Sequence, residues 1–207
     1  MENINRYRYR CRHLKLIPFH LLSQLDLTRF WDRAIRRAQL PVAFSQGFNP
    51  RPQLSYGPAT PTGVVSHVEY LDMILTEPFD SDQLKDRLNR QVPEGMNVTE
   101  VDPISLDSPG VIKSLMGVQY SYVFDRGSGT EDNTIPIDIE DIELIERKIR
   151  SNREFMISFL FKGKSILYNP YKLIDLLPIE LKLNGGNPIV IIKQDCIFSF
   201  FGWRVKH

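Results

Sequence analysis

The chain has 207 residues, 42% hydrophobic and 11% aromatic, with 26 Lys+Arg against 25 Asp+Glu and a formal net charge of +1. This composition excludes a disordered chain and a uniformly basic polyelectrolyte, and it holds enough apolar material for one large core or two small ones. Cys11 and Cys196 supply neither a disulfide framework nor a metal-ligand spacing, and no apolar run approaches the roughly 18 residues of a membrane span, so a protein of a reducing compartment without metal, cofactor or membrane contact is expected.

The even balance conceals an asymmetry. Residues 1–60 hold ten Lys/Arg against three Asp/Glu, which leaves the remainder acidic. Segregation of this kind bears on partners, because the summed field of a basic region attracts phosphates. Residues 6–13, RYRYRCRH, alternate strictly and predict a half-buried strand with Arg6, Arg8, Arg10 and Arg12 on one face and Tyr7, Tyr9, Cys11 and His13 on the other. Ser23 and Asp26 stand at capping-box spacing, and Leu27, Phe30, Trp31, Ala34, Ile35 and Ala38 then recur at helical spacing, predicting a helix over 24–39 that ends before Pro41. Arg29, Asp32, Arg33, Arg36 and Arg37 fall on its opposite face.

Residues 45–63 are rich in Gly and Pro, with room for a short strand at 53–56. Alternation over 67–75 predicts a strand, Ser81 and Asp82 open a short helix to about residue 91, and a turn then leads to a strand near 97–101. The order is β-α-β-β-α-β. A Pro-containing linker around 102–110 separates a second half of similar rhythm: a strand at 118–124, a polar loop at 125–136, and helical spacing over 139–149 through Ile142, Ile145 and Ile149. Strands at 154–161 and 165–167, a helix at 170–176, and a hairpin around the GGN of the last apolar segment complete it. The expected fold is therefore α+β, two tandem ferredoxin-like (βαββαβ) units, with domains at 1–106 and 107–207.

Several motifs carry a family likeness: Ser23-Gln24-Leu25-Asp26, Arg33-Ala34-Ile35-Arg36-Arg37-Ala38, Leu40-Pro41-Val42-Ala43, Ser45-Gln46-Gly47-Phe48-Asn49-Pro50 with Pro52, Glu69-Tyr70-Leu71-Asp72, Arg87-Leu88-Asn89 and Pro93-Glu94-Gly95. Through them the stretch from about residue 21 to 101 resembles the radical SAM-linked proteins, an uncharacterised family found beside, or fused to, a radical S-adenosylmethionine protein. Gln24 and Arg51 stand where histidine is usual in that family. The resemblance implies a bacterial or plastid-type protein, cytoplasmic (or plastid stromal), in functional association with a radical SAM enzyme, with a genomic setting often close to ribosomal-protein and ribonuclease genes.

The strand arginines are the sharpest physical feature. Arg6, Arg8, Arg10 and Arg12 would stand about 6.6–6.8 Å apart, close to the phosphate spacing of an extended nucleic-acid strand, and Arg33 and Arg37 would extend the basic surface. A solvated face, or pairing with carboxylates, is the plainer reading of the same pattern. In residues 45–52, Gly47 permits positive φ, Asn49 can fix a turn through its side chain, and Phe44 or Phe48 would be a buried anchor. Ser45, Gln46 and Arg51 could then serve as a ligand or partner clamp, with Arg51 directed into a concave site. No Walker sequence, GxGxxG or CxxxCxxC occurs, so radical chemistry would belong to a partner. The expected function is a non-catalytic accessory or recognition module for a radical SAM enzyme that binds RNA or a ribosome-linked substrate. The alternatives are an RNA-processing endonuclease with His13 or His20 as general base, and a scaffold that docks only to protein.

Overall fold

The computed structural model describes residues 5–125, 141–150, 154–163, 169–176, 188 and 190–198. The chain divides into two compact units, one containing Met1–Thr62 and Ser66–Ser114, the other Gly63–Val65 and Leu115–His207. No helix among the described residues is long and apolar enough to cross a membrane.

Unit 1 runs β1 (Tyr7–Lys15), a 3-10 turn (Phe19–Leu21), α1 (Gln24–Arg37), β2 (Leu54–Tyr56), β3 (Val65–Leu75), α2 (Ser81–Asn89), β4 (Val98–Ile104) and a single turn, α3 (Val111–Ser114). This is the expected β-α-β-β-α-β succession. Its strands lie in the order β4-β1-β3-β2, every neighbouring pair antiparallel.

The helix starts where its cap chemistry dictates. The Ser23 hydroxyl accepts the Asp26 N–H, which caps the helix, and donates to the Asp26 carboxylate at 2.6 Å, so the shorter Asp meets the hydroxyl where the Glu of a capping box would take the backbone N–H. The helix stops two residues before the expected end because Gln39 takes the left-handed conformation, φ +51°, and the Leu40 N–H turns back to the Ile35 carbonyl. Leu27, Trp31, Ala34 and Ile35 form its buried stripe, packed over Tyr9, Cys11, Leu71 and Met73 of the sheet. The strand periodicity of β1 thus matches the helix periodicity of α1 across one apolar layer.

Unit 2 contains β5 (Leu115–Asp125), β6 (Ile142–Ile149), β7 (Glu154–Lys162), α4 (Tyr171–Leu176) and β8 (Val190–Phe198). Its sheet runs β8-β5-β7-β6 and is also antiparallel throughout. Tyr120 meets Phe161 and Tyr122 meets Phe159 edge-on, at centroid distances of 5.1 and 5.7 Å, and the Tyr122 hydroxyl donates to the Pro170 carbonyl.

The helix expected over residues 139–149 is corrected by β6. Ile142 and Ile149 are seven residues apart, a spacing that suits one helix face and that an unbroken strand would split between two. A bulge at Ile145 absorbs the odd residue: Ile142 registers with Phe161 and Ile149 with Phe155, both on the same set of alternate β7 positions. One inserted residue makes a strand read like a helix. The expected loop at 126–136, the strand at 165–167 and the terminal hairpin lie outside the described residues.

Candidate functional site

The strand arginines separate into two groups. Cα register places Arg10 between Asp72 of β3 and Asp102 of β4, and Arg12 between Tyr70 and Glu100. Arg10 is buried, and its guanidinium grips the Asp72 carboxylate with two bonds, Nε at 2.7 Å and Nη2 at 2.9 Å. Arg8 donates to the same carboxylate at 2.6 Å. The remaining donors reach the linker: Arg8 to the carbonyls of Leu106 and Ser108, Arg10 to that of Pro109. Arg8, half-buried, and Arg10, buried, thus form a structural clamp on one carboxylate and the linker, which is the carboxylate pairing of the plainer reading. Arg12 is half-buried beside Glu100, and only Arg6 is exposed.

The other face of the same strands carries a second polar group. Glu69 is buried and accepts the Thr60 hydroxyl at 2.5 Å, while the equally buried Lys15 ammonium donates to the Thr60 carbonyl at 3.2 Å. These bonds tie the Pro-rich segment at 57–62 to the sheet. His13 is fully buried, its ring 4.6 Å from that of Trp31, so it cannot reach a solvent-borne substrate as a general base. Asn89 closes the α2–β4 turn by donating to the Val98 carbonyl and accepting its N–H. Asp72, Glu69, Ser23 and Asn89 all belong to the motifs singled out in the sequence, and each has a structural task.

Cys11 lies in this core. Burial foremost, then the charges of Asp72 and Asp102, push its thiol well above its ordinary value of 9.0. A thiol held protonated by the fold ionises first in the unfolded chain, so stability is expected to fall as pH rises above 9.0, by up to about 1.4 kcal/mol per unit from this group. Urea denaturation at stepped pH should show a shallower decline in Cys11→Ala than in wild type. Equal declines would remove Cys11 as the cause.

The outward face of α1 remains available. Arg29, Arg33, Arg36 and Arg37 are exposed. Arg29 lies 3.8 Å from Asp26, Arg36 bonds Asp32 at 3.1 Å, and Arg37 donates to the Gln91 carbonyl at 2.8 Å. Arg33 has no carboxylate partner among the described residues.

The loop that follows begins at a stem joined to the sheet. Ala43 donates to the Ile74 carbonyl, Gln53 to that of Ala43, and Phe44 bridges Pro52. Ser45 then closes the tip from both sides, its N–H donating to the Arg51 carbonyl at 2.8 Å and its hydroxyl accepting the Arg51 N–H at 3.0 Å. Gly47 has φ +126°, the positive-φ conformation anticipated there. Two expectations are corrected. Neither Phe44 nor Phe48 is a core anchor, at 44% and 105% exposure, and the Ser45 hydroxyl, rather than the Asn49 amide, fixes the turn. Gln46, Asn49 and Arg51 are exposed.

A hollow of about 500 Å3 lies elsewhere in unit 1, between Ser55 and Tyr56 of β2 and the clamped segment from Asp107 to Lys113. Burial and the charge of Asp32 push the Tyr56 hydroxyl upward, so it stays a neutral donor to the Thr28 carbonyl.

Compared with known proteins, residues 8–165 match the model of a family described as "Uncharacterized protein conserved in bacteria (DUF2344)". No curated protein matches the chain.

Proposed function

From the resemblance of residues 21–101 to the radical SAM-linked proteins, we propose that this chain, which belongs to the family of bacterial proteins just described, is a non-catalytic recognition module that acts beside a radical S-adenosylmethionine enzyme and holds an RNA or ribosome-linked substrate through unit 1. Both units are read as ferredoxin-like, a reading supported by the order fourth, first, third, second in each sheet. The fold hosts many functions, so function is read from the surface. The observation that carries it is the run from Arg33 to Val68, which holds Arg33, Arg36, Arg37 and Arg51 and not one Asp or Glu, and which includes the exposed end of α1 and the projecting loop. A surface of this kind attracts phosphates without needing a catalytic group.

An endonuclease mechanism is the weaker reading, since the burial of His13 leaves only the half-buried His20 as a base. A scaffold that docks only to protein draws on a specific feature, the exposed Ile17, Leu21 and Leu25 at the start of α1. One experiment separates the two main readings. Protein and nucleic acid crosslinked to the chain in native cells should include both a radical SAM enzyme and RNA. Binding of that RNA, titrated against salt, should then show a slope that the double variant Arg33→Ala/Arg51→Ala flattens by roughly 0.7 for each single-strand phosphate it no longer neutralises. Recovery of protein alone, or an unchanged slope, would count against the RNA half of the proposal and favour the scaffold.

A further inference from the structure

Phe48 does nothing for the fold. Its ring is wholly in water at 105% exposure, and the neighbouring residues 46, 47, 49, 50 and 51 are exposed as well. Burying a phenylalanine is ordinarily among the larger favourable contributions a side chain makes, and here none of it is realised. The loop is nonetheless braced. Three backbone bonds and the Ser45 hydroxyl close its stem, and Gly47 turns the chain at a φ that L side chains rarely adopt. A Cβ added to Gly47 would meet nothing within 4 Å, so the glycine serves the turn and not a tight fit. The chain thus invests backbone order in presenting a ring to solvent.

Charge identifies what would meet it. Arg51 stands on the other limb of the tip, exposed and without a carboxylate partner among the described residues. The nearest acidic residues in the chain on either side of the loop are Asp32 and Glu69. An exposed aromatic ring and an exposed guanidinium three positions apart on one braced tip, in a segment devoid of acid, are the residue types that read unpaired nucleotides: the ring takes the base and the cation its phosphate. We propose that Phe48 is a stacking platform for an unpaired base of single-stranded RNA, with Arg51 on the adjoining phosphate. This rests on the RNA reading above and names the part of the RNA that is bound. Phe44, partly exposed where the stem begins, is the position for a second base.

The full chain and an unstructured oligouridine test this by fluorescence anisotropy. Phe48→Ala and Phe48→Leu should each weaken binding roughly five- to a hundred-fold, the range expected for one stacked base. Phe48→Trp should retain affinity, and its indole emission, taken as the difference from wild type, should be quenched as RNA is added. Since the ring is fully exposed, all three variants should unfold at the wild-type denaturant midpoint. Wild-type affinity in Phe48→Leu would mean that any apolar side chain suffices, as it would in a protein pocket, and would overturn the stacking role. Wild-type affinity in Phe48→Ala together with a flattened salt slope in Arg33→Ala/Arg51→Ala would also overturn it while leaving the RNA reading intact. Absence of oligouridine binding by wild type, alongside binding of the crosslinked cellular RNA, would overturn unpaired-base recognition alone, and absence of both would overturn the two proposals together.

Discussion

Replacing Asp72 with alanine is expected to destabilise unit 1 by about 3–5 kcal/mol, the usual cost of removing one partner from a buried ion pair. The figure follows from what is left behind. Arg10 is 4% exposed, and its Nε would lose its acceptor within the protein interior. Arg8 would keep its bonds to the 106 and 108 carbonyls, so the loss falls mainly on Arg10. The consequence spreads to the linker, because the same guanidiniums hold residues 106–109 and with them one wall of the hollow beside β2. Asp72→Asn keeps the shape and one acceptor and should cost less than the alanine variant. Urea denaturation measures both. A loss under about 1 kcal/mol for Asp72→Ala would show that the clamp is dispensable and would make Arg8 and Arg10 candidates for anion binding again.

Trp31→Ala should cost a similar amount, about 3–5 kcal/mol, through a different mechanism. The indole is fully buried, 4.6 Å from the His13 ring and 5.5 Å from that of Phe30, and it joins α1 to the sheet. Its removal opens a cavity that the surrounding β-strands can close only in part. The Trp31 Nε1 has no hydrogen-bond partner among the described residues, so Trp31→Phe forfeits no bond to them and should retain much of the stability. The two variants therefore separate volume from polarity: a phenylalanine variant as unstable as the alanine one would mean that the indole nitrogen matters in a way the geometry does not show. Trp31→Ala also provides a control for the binding experiments. It should abolish RNA affinity by releasing α1, whereas Phe48→Ala should weaken it with the fold unchanged.

How much of this was legible beforehand depends on the range of the interaction. The alternation of β1, the apolar stripe and Ser23 cap of α1, the positive φ at Gly47 and the β-α-β-β-α-β order of unit 1 are written in spacings of two to four residues, where backbone geometry acts directly. Alternation likewise marked Arg8, Arg10 and Arg12 as sharing a face. What covers that face was decided about 60 residues away, when β3 paired with β1 in the register that sets Asp72 opposite Arg10. A shift of one residue would have turned Asp72 toward the apolar layer under α1, and nothing in the local pattern of β1 specifies which register wins. The same limit explains β6, where a single bulge at Ile145 converted strand spacing into apparent helix spacing. It explains the aromatic loop as well. Apolarity predicts Phe44 or Phe48 inside, but burial requires a neighbour to provide the cover, and the stem closed by Ser45 and Arg51 carries Phe48 away from any such neighbour among the described residues. Local sequence determined which residues stand together on each element; the pairing of distant strands decided which of them became core, clamp or exposed surface, because hydrogen-bond register and solvent exclusion are properties of the assembled sheet.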